Sequence, residues 1–119
     1  MRIGLVRCAP DASLRDVARL LAGYGLHSVA VLDGDEPTAP GAWAIITARD
    51  VARAAWRDPD TTTARELHAG PAVTVAPDTA LADATRLMAR DRVTHLLVLD
   101  PASKLPVAVL STLDVAARL

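Results

Sequence analysis

The sequence has no phenylalanine, and its aromatic residues are only Tyr24, Trp43 and Trp56. A set of aromatic platforms for stacking unpaired bases is therefore missing, which disfavours single-strand nucleic-acid binding. The apolar interior has to be built from Val, Leu, Ile and Ala. Cysteine is scarce as well: Cys8 stands alone, so no intrachain disulfide can form. Charge of one sign is also missing, with 13 Lys and Arg against 14 Asp and Glu and a net charge of -1. Without a basic run or stripe no field is present to neutralise phosphates, and a nucleic-acid duplex is disfavoured as a partner. No apolar run approaches the ~20 residues of a membrane-spanning helix. The opening Met1-Arg2-Ile3-Gly4-Leu5-Val6-Arg7 lacks the apolar core and small-residue cleavage site of a signal peptide, so a cytoplasmic location is expected.

What is present is a chain of 119 residues, 51% hydrophobic and 23% charged, which fits one compact folded module. Its halves repeat each other. Pro10-Asp11 recurs as Pro77-Asp78, and at the same offset Leu14, Asp16, Leu20, Val31, Leu32 and Asp33 recur as Leu81, Asp83, Leu87, Val98, Leu99 and Asp100. Further on, Thr47, Asp50 and Val51 match Ser111, Asp114 and Val115 at a slightly shorter offset. The surplus residues of the first repeat belong in the Gly-, Pro- and Asp-rich stretch 33–41, which reads as a loop. Internal self-similarity of this kind decides the architecture before local propensities do.

The hydrophobic period changes in the same order in both halves. Leu5-Val6-Arg7-Cys8 and Ala72-Val73-Thr74-Val75 are short strand-like runs, each followed closely by a proline. Leu14, Val17, Ala18 and Leu21, and likewise Leu81, Ala84, Thr85 and Met88, recur at helical spacing. Ser13 with Asp16 resembles a capping box, Thr79 is the N-cap candidate of the second helix, and Gly23 and Gly25 stop the first. Val29–Leu32 and Leu96–Leu99 are continuous apolar runs that read as buried strands, and both end at an Asp. Trp43–Ile46 and Val107–Leu110 are the next strands. They pass through Thr47 and Ser111 into helices at Asp50 and Asp114, the latter continuing over Val115–Leu119. A polar connector and a short helix over Thr63–His68 lie between the halves. The expected architecture is α/β: two β-α-β-β-α repeats, residues 1–57 and 72–119, joined by a linker over 58–71 and packed about a pseudo-twofold axis.

The order and duplication of these segments resemble a tandem cystathionine-β-synthase (CBS) domain pair over nearly the whole chain. The stretch 73–84 is similar to that family's entry strand and first helix, and Thr94-His95-Leu96-Leu97-Val98-Leu99-Asp100 to its central strand. Ser111-Thr112-Leu113-Asp114 and Thr47-Ala48-Arg49-Asp50 resemble its Thr/Ser-x-x-Asp signature. The resemblance implies a regulatory module that binds AMP, ADP, ATP or S-adenosylmethionine in clefts between the repeats and signals to a partner protein. It also implies a homodimer, with helices after the signatures whose alanines permit close packing.

The signature also has a physical reading of its own. At a strand-to-helix junction the Thr47 or Ser111 hydroxyl and the first helical N–H groups are oriented toward an incoming anion. Three residues on, the two carboxylate oxygens of Asp50 or Asp114 can engage both hydroxyls of a ribose. By position Val6, Val29 and Ile46 line the first pocket and Val73, Leu96 and Leu110 the second. Competing readings stand beside these. Asp50 and Asp114 also suit the first turn of any helix through the dipole. Arg49 either neutralises a phosphate or is a solvated helix residue, and His95 either reaches a phosphate or is an ordinary residue at a strand start.

His27, His68 and His95 are far apart without a second ligand at metal spacing, so no metal site is expected. Cys8 reads as a small packed residue. No Ser-His-Asp spacing, Gly-rich phosphate loop or carboxylate pair is present, and no catalytic residue is assigned. Three departures bear on binding. The family's frequent Gly is Ala44 or Ala108, its frequent Pro is Ala30 or Leu97, and Leu113 stands where the first repeat has Arg49. Each added Cβ is expected to project toward the ligand. The preferred function is thus a non-enzymatic adenosyl-ligand sensor using Thr47, Arg49, Asp50 and Val29, and His95, Ser111, Asp114 and Leu96. The alternative is a ligand-free structural or dimerisation module of the same fold; an enzyme acting on small adenylates ranks far behind both.

Overall fold

The computed structural model describes residues 2–3, 5–68 and 70–118, the first two as backbone only. The elements in chain order are β1 (Arg2–Ile3), β2 (Arg7–Cys8), α1 (Leu14–Tyr24), β3 (Ser28–Leu32), β4 (Trp43–Thr47), α2 (Ala48–Arg53), a 3-10 turn (Ala64–Glu66), β5 (Thr74–Val75), α3 (Leu81–Asp91), β6 (His95–Leu99), β7 (Pro106–Ser111) and α4 (Thr112–Ala116). They form two compact units, residues 6–71 and residues 1–5 with 72–119. Both are α/β and both carry the β-α-β-β-α order that the repeat implies.

In the first unit β2 pairs parallel with β3, and β3 pairs antiparallel with β4, in register from Ser28 opposite Thr47 to Leu32 opposite Trp43. The parallel step requires the crossover that α1 supplies. Its apolar stripe, Leu14, Val17 and Leu21, packs on Val29, Val31, Ala44 and Ile46. Residues two apart on a strand share a face, so β3 and β4 each send alternate side chains into this core. Cys8 packs against the same core, and burial pushes its thiol pKa up. The second unit repeats the plan with β5 parallel to β6 and β6 antiparallel to β7, over a core that includes Ala84, Met88, Leu96, Val98, Ala108 and Leu110. Its sheet has a fourth strand, because β1 pairs antiparallel with β7.

Several local expectations need correction. Thr79 is not the N-cap of α3: that position is Ala80, which makes no side-chain cap, while the Thr79 hydroxyl accepts from the Ala76 N–H at 3.1 Å and closes the preceding turn. Ser13 does cap α1, accepting from the Asp16 N–H at 3.1 Å. The entry strands are only two residues long, although Val6 and Val73 extend the pairing by one bond each, accepting from the Ala30 and Leu97 N–H groups. The helix expected over Thr63–His68 is the single 3-10 turn. α4 ends at Ala116, and Leu119 lies outside the described residues.

Candidate functional site

Each unit turns one sharp corner from its last strand into a short helix. β4 enters α2 through Thr47, and β7 enters α4 through Ser111; both residues are extended N-caps. At the first corner Asp50 Oδ2 accepts from the Thr47 N–H at 2.8 Å and from the Thr47 hydroxyl at 3.0 Å, and the same hydroxyl accepts from the Asp50 N–H at 3.2 Å. At the second corner Ser111 and Asp114 repeat these bonds at 2.8, 3.0 and 3.2 Å. Both corners are reciprocal capping boxes with Asp in the position of Glu, which satisfies helix-end donors from within the signature itself. Ser13 and Asp16 have the same spacing, and there the Ser13 side chain supplies the cap. In this structure the two hydroxyl protons are committed to the carboxylates.

The carboxylates are not equivalent. Burial raises the Asp114 pKa, but the Ser111 N–H and hydroxyl, with the N-terminal amino group, together hold the carboxyl below its ordinary value. Asp114 makes a further interaction beyond the box. Asp50 Oδ1 accepts no hydrogen bond among the described residues. Arg49, on the first turn of α2, is exposed and forms no ion pair among the described residues. His95 lies opposite Ser111 in the β6–β7 register, with Nδ1 at 2.8 Å from the Thr94 hydroxyl. The antiparallel pairing thus brings His95, Ser111 and Asp114 to one place, as the turn into α2 does for Thr47, Arg49 and Asp50.

The apolar candidates lie deeper. Val29 and Leu96 are 0% exposed within the cores of their units, each opposite Ile46 or Leu110 on the neighbouring strand. Val6 and Val73 are half-buried against those cores. The expectation that Ala44 and Ala108 project methyl groups toward a ligand fails. Ala44 shares a strand face with Ile46, and both belong to the core under α1; Ala108 occupies the same place beside Leu110. The strand period therefore turns both methyls inward. Ala30 and Leu97, on the opposite face of their strands, are also fully buried.

Asp50 also lines a cleft of about 320 Å3 in the first unit, together with Arg53, Trp56, Arg57, Glu66 and His68. Arg57 pairs with Glu66, and its guanidinium lies 6.0 Å from the centre of the exposed Trp56 ring. Behind this cleft His68 Nδ1 accepts from the Gly70 N–H at 3.1 Å. The neutral ring then carries its hydrogen on Nε2 and donates it to Asp33 Oδ2 at 2.9 Å. Arg65 donates to the other oxygen at 2.8 Å, and the Arg65 bond foremost holds the Asp33 carboxyl below its ordinary value. Sequence reasoning missed this cluster; its one signal was the Asp that ends the apolar run of β3. Among the described residues no group of three or more His, Cys, Asp and Glu is placed to hold a metal ion. No helix among them is long and apolar enough to cross a membrane.

No curated protein matches this sequence. Solved structures do. A protein with CBS domains from Burkholderia ambifaria MC40-6 is 24% identical and superposes with a TM-score of 0.79 over 97% of this chain and 82% of its own. The hexameric CBS-CP12 protein from bloom-forming cyanobacteria is 24% identical, with a TM-score of 0.85 over 98% of this chain and 66% of its own. The cytosolic domain of the Mg2+ channel MgtE, in complex with ATP, is 24% identical, with a TM-score of 0.71 over 97% and 45%. At that identity these likenesses speak for the fold. The sequence itself matches the CBS domain model twice, over residues 1–57 and 64–119, and the chain belongs to the CBS domain family as a tandem pair.

Proposed function

We propose that this chain is a regulatory module that binds an adenosine-containing ligand, AMP, ADP, ATP or S-adenosylmethionine, without turning it over, and passes the occupancy to a partner protein. The observation that carries the reading is the Asp50 corner: a preorganised carboxylate with one oxygen fixed by the Thr47 box and the other without a hydrogen bond among the described residues, on the wall of a cleft that also holds two arginines. The fixed corner suits a ribose diol, since a carboxylate accepts from both hydroxyls, and Arg53, which makes no ion pair among the described residues, suits phosphate oxygens. Arg49 stands one residue away with no competing ion pair among the described residues. Thr47, Arg49, Asp50 and Val29 make the first site in this reading, and His95, Ser111, Asp114 and Leu96 the second. The ATP complex of the MgtE cytosolic domain supports the ligand class, and the hexameric neighbour supports self-association, proposed here as a homodimer.

A second reading, a ligand-free dimerisation module, is favoured by one observation. The boxes give Asp50 and Asp114 a structural task that needs no ligand. Calorimetric titration with AMP, ADP, ATP, S-adenosylmethionine and NAD separates the two. Binding tighter than roughly 100 μM, about -5.5 kcal/mol, is expected for one of the first four. Asp50→Ala or Asp114→Ala should weaken it about tenfold, and Arg49→Ala, which leaves both boxes intact, should weaken a phosphorylated ligand selectively. Heat silence across the panel from folded protein would establish the second reading instead.

A further inference from the structure

Equivalent positions of the two repeats meet different fates. In the first unit Leu14, Val17, Val31 and Ile46 share their core with Ala64 and Leu67 of the 3-10 segment, and Ala64 is wholly buried. Four backbone hydrogen bonds hold that segment in place. The Leu14 N–H donates to the Thr62 carbonyl at 2.8 Å and the Arg15 N–H to the Pro59 carbonyl at 2.9 Å; the Ala64 and Arg65 N–H groups donate to the carbonyls of Ala12 and Pro10 at 2.8 and 2.9 Å. Arg15 completes the clamp with a two-pronged bond to Asp60 at 2.7 and 3.1 Å. The linker is thus seated as a peptide on the mouth of the first core.

The second unit has the same wall, with no occupant among the described residues. Leu81, Ala84, Val98 and Leu110, the counterparts of Leu14, Val17, Val31 and Ile46, line a cavity of about 80 Å3. The groups equivalent to the four that hold the linker are the N–H of Leu81 and Ala82 and the carbonyls of Thr79 and Pro77. None of these is hydrogen-bonded among the described residues. Where the first unit has the buried Ala54, the second has the exposed Arg118 on the cavity wall, and Arg118 has no ion pair among the described residues. An apolar cavity larger than the ~30 Å3 share of one water forfeits dispersion contacts when nothing fills it.

We propose that this cavity is a docking seat for a short segment of a partner polypeptide, bound as residues 59–67 are bound on the first unit. The recognised chemistry follows from the seat: an extended stretch that pairs with Leu81, Ala82, Thr79 and Pro77, then a tight turn placing a small residue and a leucine-sized residue three apart in the apolar cavity. An acidic residue beside them meets Arg118, the one cation among the described residues of the cavity wall. The stretch Thr62-Thr63-Ala64-Arg65-Glu66-Leu67 is already seated on the first unit and so is not free to fill this seat. Of the residues named for the adenosyl sites this seat shares Leu110 alone, and the peptide titration is read without an adenosyl ligand, so its outcome does not depend on them.

The test uses the full chain, labelled with 15N, and a synthetic peptide copying residues 57–68. Saturable shifts of the Leu81, Ala82 and Ala84 amides are expected, with those of Leu14 and Arg15 unmoved. A peptide with Asp at the position of Leu67 should bind at least tenfold more weakly. Arg118→Glu, an exposed change that leaves the core intact, should weaken binding about threefold, the range of a solvent-exposed ion pair. Ala84→Leu, which fills the cavity, should abolish it. The proposal is overturned by no saturable shift up to about 1 mM peptide, by shifts at Leu14 and Arg15 that report exchange with the resident linker, or by cavity amides that move on diluting the protein alone, which would seat a second copy there.

Discussion

At Asp50 and Asp114 a single carboxylate oxygen ties the end of a strand to the start of a helix. Loss of an N-terminal cap costs about 1 kcal/mol, so these aspartates hold their corners whether or not a ligand arrives. The pH dependence at Asp114 follows from its partners. Burial raises its folded pKa, but the Ser111 bonds and the positive charge of the N-terminal amino group together bring it below the ordinary value of 3.8. A carboxyl depressed in this way stabilises the fold above its unfolded value, and the contribution disappears as the pH falls through the folded pKa. Asp114→Asn keeps the shape and removes the titration. Urea midpoints measured from pH 7 downward should therefore fall more steeply for the parent than for Asp114→Asn once the pH drops below 3.8. Parallel curves would show that the surroundings of Asp114, the Ser111 bonds among them, do not discriminate between the charged and neutral acid. Asp33, Asp60, Asp91 and Asp100, whose carboxyls are also held low, are common to both proteins and cancel in the comparison.

Among the elements, α1 and α3 are equivalent helices that stop in the same way with different residues. Gly25 follows α1 at a φ of 62°, and the Leu26 N–H reaches back to the Leu21 carbonyl at 2.8 Å. Arg92 follows α3 at a φ of 54°, and the Val93 N–H reaches back to the Met88 carbonyl at 3.0 Å. Both ends are left-handed caps, which glycine adopts freely and an L side chain adopts at a cost of about 1 kcal/mol. Arg92→Gly should stabilise the protein by about that amount. Gly25→Ala should destabilise it similarly, through the backbone alone, since an added Cβ meets nothing within 4 Å. Chemical denaturation of the two variants checks both signs, and an unstable Arg92→Gly would mean the arginine side chain contributes more than its backbone costs.

The same helices show what a sequence can carry. Gly25 announces its stop, whereas Arg92 is visible only by laying one repeat on the other. The strand order and the paired corners were legible because each is written twice at matching spacing. The length of the 3-10 turn, the inward methyls of Ala44 and Ala108 and the contact of Asp33 with His68 were not. They depend on where the linker docks and on which strand face meets the helix, and neither leaves a local pattern. Thr79 misled for a related reason: its hydroxyl serves the turn behind it rather than the helix ahead.

For the molecule as a whole, the scarcity of aromatic residues becomes an experimental handle on self-association. Tyr24, Trp43 and Trp56 all belong to the first unit. Trp43 is buried and its indole N–H donates to the Pro37 carbonyl at 2.8 Å, so its emission should not respond to an encounter at the surface. Trp56, just beyond α2, is 84% exposed, and Leu113 on α4 is 67% exposed. Large apolar side chains left this open beside the duplicated corners are the features a homodimer would cover, and indole is among the side chains that contribute most to such contacts. Light scattering at micromolar concentration should give twice the chain mass, and dilution should shift the tryptophan emission to the red as Trp56 returns to water. Trp56→Glu should yield a monomer whose emission no longer depends on concentration, while the far-UV spectrum is preserved. A monomeric mass for the parent would end the homodimer proposal. A dimer that survives Trp56→Glu but not Leu113→Glu would move the contact from the end of α2 to α4.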